Sequence, residues 1–458
     1  MSKANLFDEF DPVSAKAWKQ KIQFDLKGAD YNNTLIWNSN EGIHVKPFYT
    51  NEDLKSPSYT SNTNSLPFNI TQSIFVNSEE KSNLAALNAL QNGAEALHFI
   101  ISNTTCKLER LFESIDLHLT PIYFELQFCS ADFVIKLDQI ASKNNALFYV
   151  NFDSIGHLAE TGNWYTTLQS DHKTLESILK TCRHLKSNVS VNMALYQNAG
   201  ANITQQLAYS LAHANEYLNL FAQHIKSRIT FKVAIGSNYF FEIAKLRALR
   251  MLWKTVAQTY NLSPDCHIIA FPTKRNKTLY DVNTNMLRTT TECMSAILGG
   301  ADSVCNLAFD AVFHKNNAFG ERISRNQLII LKEESAFGAV NNPADGSYYI
   351  ETLTLQLAEQ ALDLFKDLEA NGGFLKALKA GLIQKKIKES ALKEQEQFNA
   401  NDIILVGTNA HTNPKDQMKD NLELYPFVKQ NPRKTLIEPV IQKRLAETLE
   451  QTRLKAES

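Results

Sequence analysis

The sequence predicts an α/β fold, a closed TIM (β/α)8 barrel with an N-terminal arm and a C-terminal helical extension. Three observations predict it. Strand-like runs rich in β-branched and aromatic residues recur eight times between Ile70 and Leu307. Helical patterns fill the intervals between them. The eight units together occupy roughly 250 residues, the usual span of such a barrel. An open doubly wound sheet is the competing architecture, but eight regular units favour closure.

Residues 1–65 read as an extended arm. A short helix over Ser14–Phe24 precedes Asn- and Ser-laden sequence ending in SPSYTSNTNSLP, with too little apolar area to fold alone. The barrel is expected over 66–340. Its strands are expected at Ile70–Val76, Leu97–Ile101, Ile122–Phe128, Leu147–Asn151, Asn188–Leu195, Arg228–Ile235, Cys266–Phe271 and Ser303–Leu307. Helices such as Asn83–Gln91, Lys107–Ile115, Ala131–Lys143, Gln205–Ala222 and Asn285–Leu298 link them, the last capped by Gly299-Gly300. Residues 341–458 are expected to pack helices and a tail on the barrel. Helices are expected at Gly320–Phe337, Leu353–Glu369, Phe374–Asn399 and Pro439–Lys455, with a buried strand at Ile403–Thr408.

The unit from Arg228 to Trp253 is the clearest βα element, a strand, a Gly-Ser-Asn turn and a long helix. One helical face carries Phe240, Phe241, Ala244, Ala248, Met251 and Leu252. A second stripe, Leu246, Leu249 and Trp253, lies opposite, and two readings stand for it: cover by a later helix of this chain, or a subunit interface.

Several strands alternate instead of reading as continuous apolar runs, which is unusual for a parallel sheet covered on both faces. Tyr123, Glu125 and Gln127 alternate with apolar neighbours, as do Asn192 and Lys232 in their strands. Helices take the apolar face, so these five polar residues point into the barrel. Glu125 and Lys232 are then both inward and are expected to pair. Their bulk favours a filled interior over an open tunnel for a polar ligand.

Composition excludes several classes. The 458 residues are 44% apolar and 21% charged, with a net charge of −1, which gives no reason to expect nucleic acid or a membrane surface. Six scattered cysteines without a CxxC pair read as free thiols of a reducing compartment, and no apolar run has the length of a membrane span; a cytoplasmic location is expected. The strand ends, where a barrel enzyme works, offer amides, hydroxyls and one basic cluster. Gln197, Asn238, Lys274 and Arg275 are the rim candidates for substrate, and with Lys277 the last two suit either a phosphate or a solvated loop. Paired carboxylates, metal-spaced histidines and a nucleophile with its base are not found there; Asp153 and His157 read as surface and Cys129 as a small buried residue.

Five blocks then carry a resemblance: WKQKIQFDLKGADYNNTLIW with EGIHVKPFY (Trp18–Tyr49), QNAGANITQQLAYSLAHANEYL (Gln197–Leu218), AIGSNYFFEIAKLRALRMLW (Ala234–Trp253), LRTTTECMSAILGGADSV (Leu287–Val304), and ISRNQLIILKEES with NPADGSYYIE (Ile323–Glu351). Together they resemble the methylmalonyl-CoA mutase family over roughly residues 16–410. The resemblance implies a barrel whose acyl-CoA threads a polar-lined axis. It also brings departures. No cobalamin-binding flavodoxin-like domain with Asp-x-His-x-x-Gly is recognised, and the nearest approach is Asp116-Leu117-His118. Leu195 stands where the family's catalytic His is expected, PTKRNKTLYD replaces a rim segment rich in His, Gln and Ser, and Ser73–Val76 reads SIFV in place of Tyr-Ala-Gly-Phe.

The pattern resembles the family's non-catalytic small subunits. It implies a heterodimer in which a large subunit binds adenosylcobalamin and interconverts methylmalonyl-CoA and succinyl-CoA, with the N-terminal arm wrapping that partner. Under this reading no residue of the present chain is catalytic and none binds cofactor or metal. Two alternatives stay open: a catalytic acyl-CoA subunit that borrows a separate cobalamin-binding chain, and an acyl-CoA-binding module.

Overall fold

The computed structural model describes residues 10, 11, 13–54, 68–429 and 432–457; the stretch SPSYTSNTNSLP lies outside them. Eight parallel strands make one sheet: β1 (Asn69–Val76), β2 (Ala96–Ile101), β3 (Ile122–Leu126), β4 (Phe148–Val150), β5 (Ser190–Asn192), β6 (Thr230–Ile235), β7 (His267–Pro272) and β8 (Ser303–Val304). Their order is β4-β3-β2-β1-β8-β7-β6-β5. The two ends of that order meet where Val150 N donates to Ser187 O at 2.8 Å beside a parallel Tyr149–Ser187 bridge. The sheet is therefore closed, and the fold is the expected TIM barrel.

Alternation decides what faces where. Phe124 of β3, Val191 of β5 and Phe231 and Val233 of β6 are fully buried among the helices, in one continuous apolar core. Their polar neighbours are left for the axis. Local chemistry sets the helix ends. Ser130 accepts from Phe133 N at the start of helix Ala131–Asn144, and Asn145, at φ 47°, ends it in the left-handed region that Asn tolerates. Gly300, at φ 85°, supplies the same conformation after Thr284–Leu298, as the Gly-Gly pair predicts.

Six helices matter below: α1 (Ala15–Asp25), α2 (Ile203–Phe221), α3 (Tyr239–Thr259), α4 (Tyr348–Ala370), α5 (Leu382–Asn399) and α6 (Glu447–Ala456). The arm is pinned by a short hairpin, Trp37–Asn38 with His44–Val45. Trp37 stands edge-on to Phe241 of α3, and Asn40 exchanges two amide hydrogen bonds with Gln397 of α5. Helix α1 differs: none of its side chains is buried.

Five expectations are corrected. The stripe Leu246, Leu249 and Trp253 is 0, 0 and 1% exposed, covered inside this chain, where Leu246 packs against Gly299 and Trp253 meets Phe231 of β6 edge-on. These residues are unavailable to a partner, and the subunit-interface reading falls. Gln127 lies past the last residue of β3 and is exposed on the rim, so it is not interior. The run Asn188–Leu195 is a strand only over Ser190–Asn192, because Asn192 N donates to the Asp153 carboxylate at 2.8 Å and the chain turns into helix Met193–Asn198. At the C-terminus, Ile403–Thr408 forms turns, not a strand, and the expected helix from Pro439 begins only at Glu447.

The segment before α6 is an extended strap across the carboxyl rim. Leu436 N donates to Gly162 O, Val440 N to Ala159 O, Lys443 N to Asn198 O and Leu445 N to Arg275 O, at 2.7–3.1 Å. Val440 and Leu445 are 3% exposed. Among the described residues, no helix is long and apolar enough to cross a membrane.

Because Trp253 fills space within the core, Trp253→Ala is expected to lower the unfolding free energy of the chain alone by about 3–5 kcal/mol in a urea titration. Unchanged stability with weakened partner binding would restore the interface reading.

Candidate functional site

The barrel axis is filled in two tiers. Nearer the amino ends of the strands, Tyr123, Tyr149 and His267 stack, with ring centroids 4.8, 5.5 and 4.4 Å apart. The Tyr123 hydroxyl lies 2.9 Å from His267 Nε2. Beside them Thr71 of β1 and Ser303 of β8 share a hydroxyl–hydroxyl hydrogen bond. Burial holds the His267 imidazole down to about 4, so it is neutral and its Nε2 can accept a hydrogen bond from the Tyr123 hydroxyl. Burial also pushes the Tyr123 phenol well up and that of Tyr149 up to about 12, so neither ionises.

The second tier is charged. Lys232 Nζ of β6 lies 2.5 Å from Glu125 Oε2 of β3, as the alternation predicts. His98 of β2, 1% exposed, places Nε2 at 3.2 Å from the same oxygen and Nδ1 at 3.0 Å from Ser73 Oγ. Phe271 of β7 closes the ring, with Lys232 Nζ 5.3 Å above its face and the His98 ring edge-on at 5.4 Å. Burial raises the Glu125 carboxyl, but Lys232 and His98 outweigh it and hold it far below the usual range. Burial likewise lowers Lys232, and Glu125 more than offsets this, leaving the amine raised. Both side chains keep some surface, 32% for Glu125 and 20% for Lys232.

This arrangement binds charge to charge and leaves little for chemistry. A raised Lys232 stays an ammonium and is no nucleophile. Burial pushes the Cys305 thiol up to about 12 and those of Cys129 and Cys106 to about 11, so no thiolate is offered. Among the described residues, no group of three or more His, Cys, Asp or Glu could hold a metal ion. Asp116 Oδ1 accepts from His118 N at 3.0 Å and Leu119 N at 3.2 Å, so the Asp116-Leu117-His118 stretch is a turn and does not fit a cobalt-ligating role.

The rim candidates separate. Gln197, Asn238 and Arg275 line one cavity of about 380 Å3, walled by the arm at Trp37 and Glu41 and by α5 at Glu394. Gln197 is spent on the buried Lys245, which also pairs with Glu242. Arg275, 8% exposed, bonds Glu394 at 2.5 Å and the strap carbonyl of Lys443 at 2.8 Å. Lys274 is exposed outside that cavity, its backbone held by Asn198 Oδ1. Lys277 is buried against Glu292 at 2.7 Å. The basic cluster is thus neither a joint phosphate site nor a solvated loop, since two of its three cations are spent inside. Asn192, at the carboxyl end of β5, sits in register with Lys232.

One network escaped sequence reading. Asp153 is not surface. It accepts from Gly156 N, Asn192 N and Tyr217 OH at 2.7–2.8 Å, and His213 Nε2 lies 2.9 Å away. His213 Nδ1 in turn meets Tyr196 OH at 2.8 Å. Tyr196, His213 and Tyr217 are completely buried, so the group ties β5 to α2 and has no route to solvent. His157, the other half of the expected surface pair, stacks on Tyr165 at 3.7 Å. The 60-position separation of Asp153 and His213 left no local signal.

Glu125 titrates below its unfolded value of about 4.3, so its stabilisation is complete above that pH and is lost as pH falls. Lys232→Met is expected to cost about 1–2 kcal/mol at pH 7, after solvent screening, with Glu125→Gln/Lys232→Met recovering part of it in a double-mutant cycle. Additive single effects would mean that the pair is uncoupled.

Comparison with known proteins follows the fold. A family model described as Methylmalonyl-CoA mutase matches residues 100–456. The chain is 34% identical to the methylmalonyl-CoA mutase small subunit of Porphyromonas gingivalis over 92% of its own length and 73% of that protein. It is 29% identical to a small subunit from Streptomyces virginiae, over 84% and 68% of the two chains. It is also similar to the large subunit of Porphyromonas gingivalis, 32% identical over 52% of this chain and 35% of that one.

Proposed function

The chain belongs to the methylmalonyl-CoA mutase family, and from that premise we propose that it is the non-catalytic small subunit of a heterodimeric, adenosylcobalamin-dependent methylmalonyl-CoA mutase. One observation carries the reading. Where the family resemblance calls for an acyl chain along the barrel axis, this axis holds the stacked Tyr123, Tyr149 and His267 beneath the Glu125–Lys232 pair. Those stacked rings would block a thioester at the level they occupy. The apolar, buried Leu195 in place of a protonatable group agrees with it.

The role is then mechanical. The large subunit would bind acyl-CoA and adenosylcobalamin, whose cobalt–carbon bond supplies the radical chemistry, and this chain would bury partner surface and hold the large subunit in shape. The arm, residues 1–65, is assigned to the partner contact because α1 buries nothing in its own chain while Trp18 is 50% and Phe24 78% exposed. The barrel, 66–340, is the scaffold, and 341–458 braces it. Six free cysteines suit a cytoplasmic complex. The filled axis weighs against a catalytic acyl-CoA subunit and against an acyl-CoA-binding module alike.

Co-expression with a candidate large subunit tests the proposal. The two chains are expected to copurify and turn over methylmalonyl-CoA only together. Turnover by this chain with an isolated cobalamin-binding protein, and no large subunit, would sink it. Deleting residues 1–26 is expected to leave the melting temperature of the isolated chain within a few degrees while cutting copurification severalfold. Intact copurification would move the interface elsewhere.

A further inference from the structure

We propose that the rim cavity between the arm, the β6–α3 turn and α5 is a binding site for a small polyhydroxylated ligand of the sugar or polyol class. It stands apart from the mutase reading and from the barrel axis. At about 380 Å3 its volume falls within the roughly 300–1,000 Å3 of small-molecule sites.

What remains uncommitted in the wall sets the ligand's chemistry. The large charged groups are spent: Arg275 on Glu394, and Lys245 on Glu242 and Gln197. Ser237, Asn238 and Asp402 also line the cavity, and none of their side chains makes a hydrogen bond or ion pair among the described residues. Asn238 is the N-cap of α3 yet makes no side-chain capping bond. These three groups offer donors and acceptors in mixture, which hydroxyls satisfy in both senses and a pure cation or anion does not. Trp37 lines the same cavity, 51% exposed and held edge-on to Phe241, and its ring gives a flat apolar platform of the kind that covers sugar C–H faces. The cavity closes because the arm is tied down, through the Asn40–Gln397 amide pair and the Glu41 carboxylate accepting from Ile203 N at 3.3 Å.

The test uses the full chain and saturation-transfer NMR with glucose, ribose, glycerol and myo-inositol as probes, putrescine as the cationic control and inorganic phosphate as the anionic one. At least one neutral probe is expected to bind saturably. Asn238→Ala and Asp402→Asn are each expected to weaken it about fivefold to tenfold, the loss of one or two hydrogen bonds. Asp402 is exposed and its side chain unbonded, so Asp402→Asn keeps the fold and the test interpretable. Three results would overturn the proposal: no saturable binding of a neutral probe, saturable binding indifferent to both substitutions, or binding of putrescine or phosphate alone.

Discussion

The contact between Glu125 and Lys232 joins the third and sixth strands across the middle of the barrel, and most of the interior depends on it. A parallel barrel usually fills its axis with branched apolar side chains in layers. This one places a carboxylate, an ammonium and an imidazole there, and each must be matched or it becomes a large desolvation penalty. The match is close: one carboxylate oxygen meets both Lys232 and His98, and Phe271 caps the cation from the side. Below it Tyr123, Tyr149 and His267 stack as the next tier of the axis. The axis is polar in composition and is blocked at its amino-terminal tier by the stacked rings.

Around that centre the rim is fixed from outside. The arm covers one sector through Trp37 and Asn40, and the strap covers another through carbonyls of the loops after β4, β5 and β7. The cations that a sequence reader would assign to substrate are instead used as fasteners. Arg275 holds both α5 and the strap, Lys277 is buried on Glu292, and Arg444 of the strap donates to Lys277 O at 2.9 Å and pairs with Glu450. Charges placed at a catalytic face have taken structural work.

Much of this was legible beforehand, for reasons that can be named. Strand count, barrel closure and the Glu125–Lys232 pair follow from period-two alternation, which assigns a face to every residue of a strand. Gln127 went astray because alternation says nothing about where a strand stops, and β3 stops one residue earlier. Asn188–Leu195 misled because a distant carboxylate, Asp153, captures the Asn192 N–H that a ladder would have used. For Leu246, Leu249 and Trp253 the pattern showed that something covers them but not whether the cover belongs to the same chain; it does, with Trp253 against Phe231 of β6 and Leu246 against Gly299. The rim cavity was legible only as three isolated residues, since its walls come from the arm, α3 and α5, which lie far apart in sequence.

The strap has a bearing on how the chain is made. Its residues 436–445 are synthesised long after the segments they tie, which lie between Ala159 and Arg275 in the sequence. The barrel must therefore wait, complete in its strands but loose at one end, until residues 436–445 have been made. Nascent chains stalled short of that point would carry an open mouth, exposing to chaperones and proteases the same surface that the finished molecule hides.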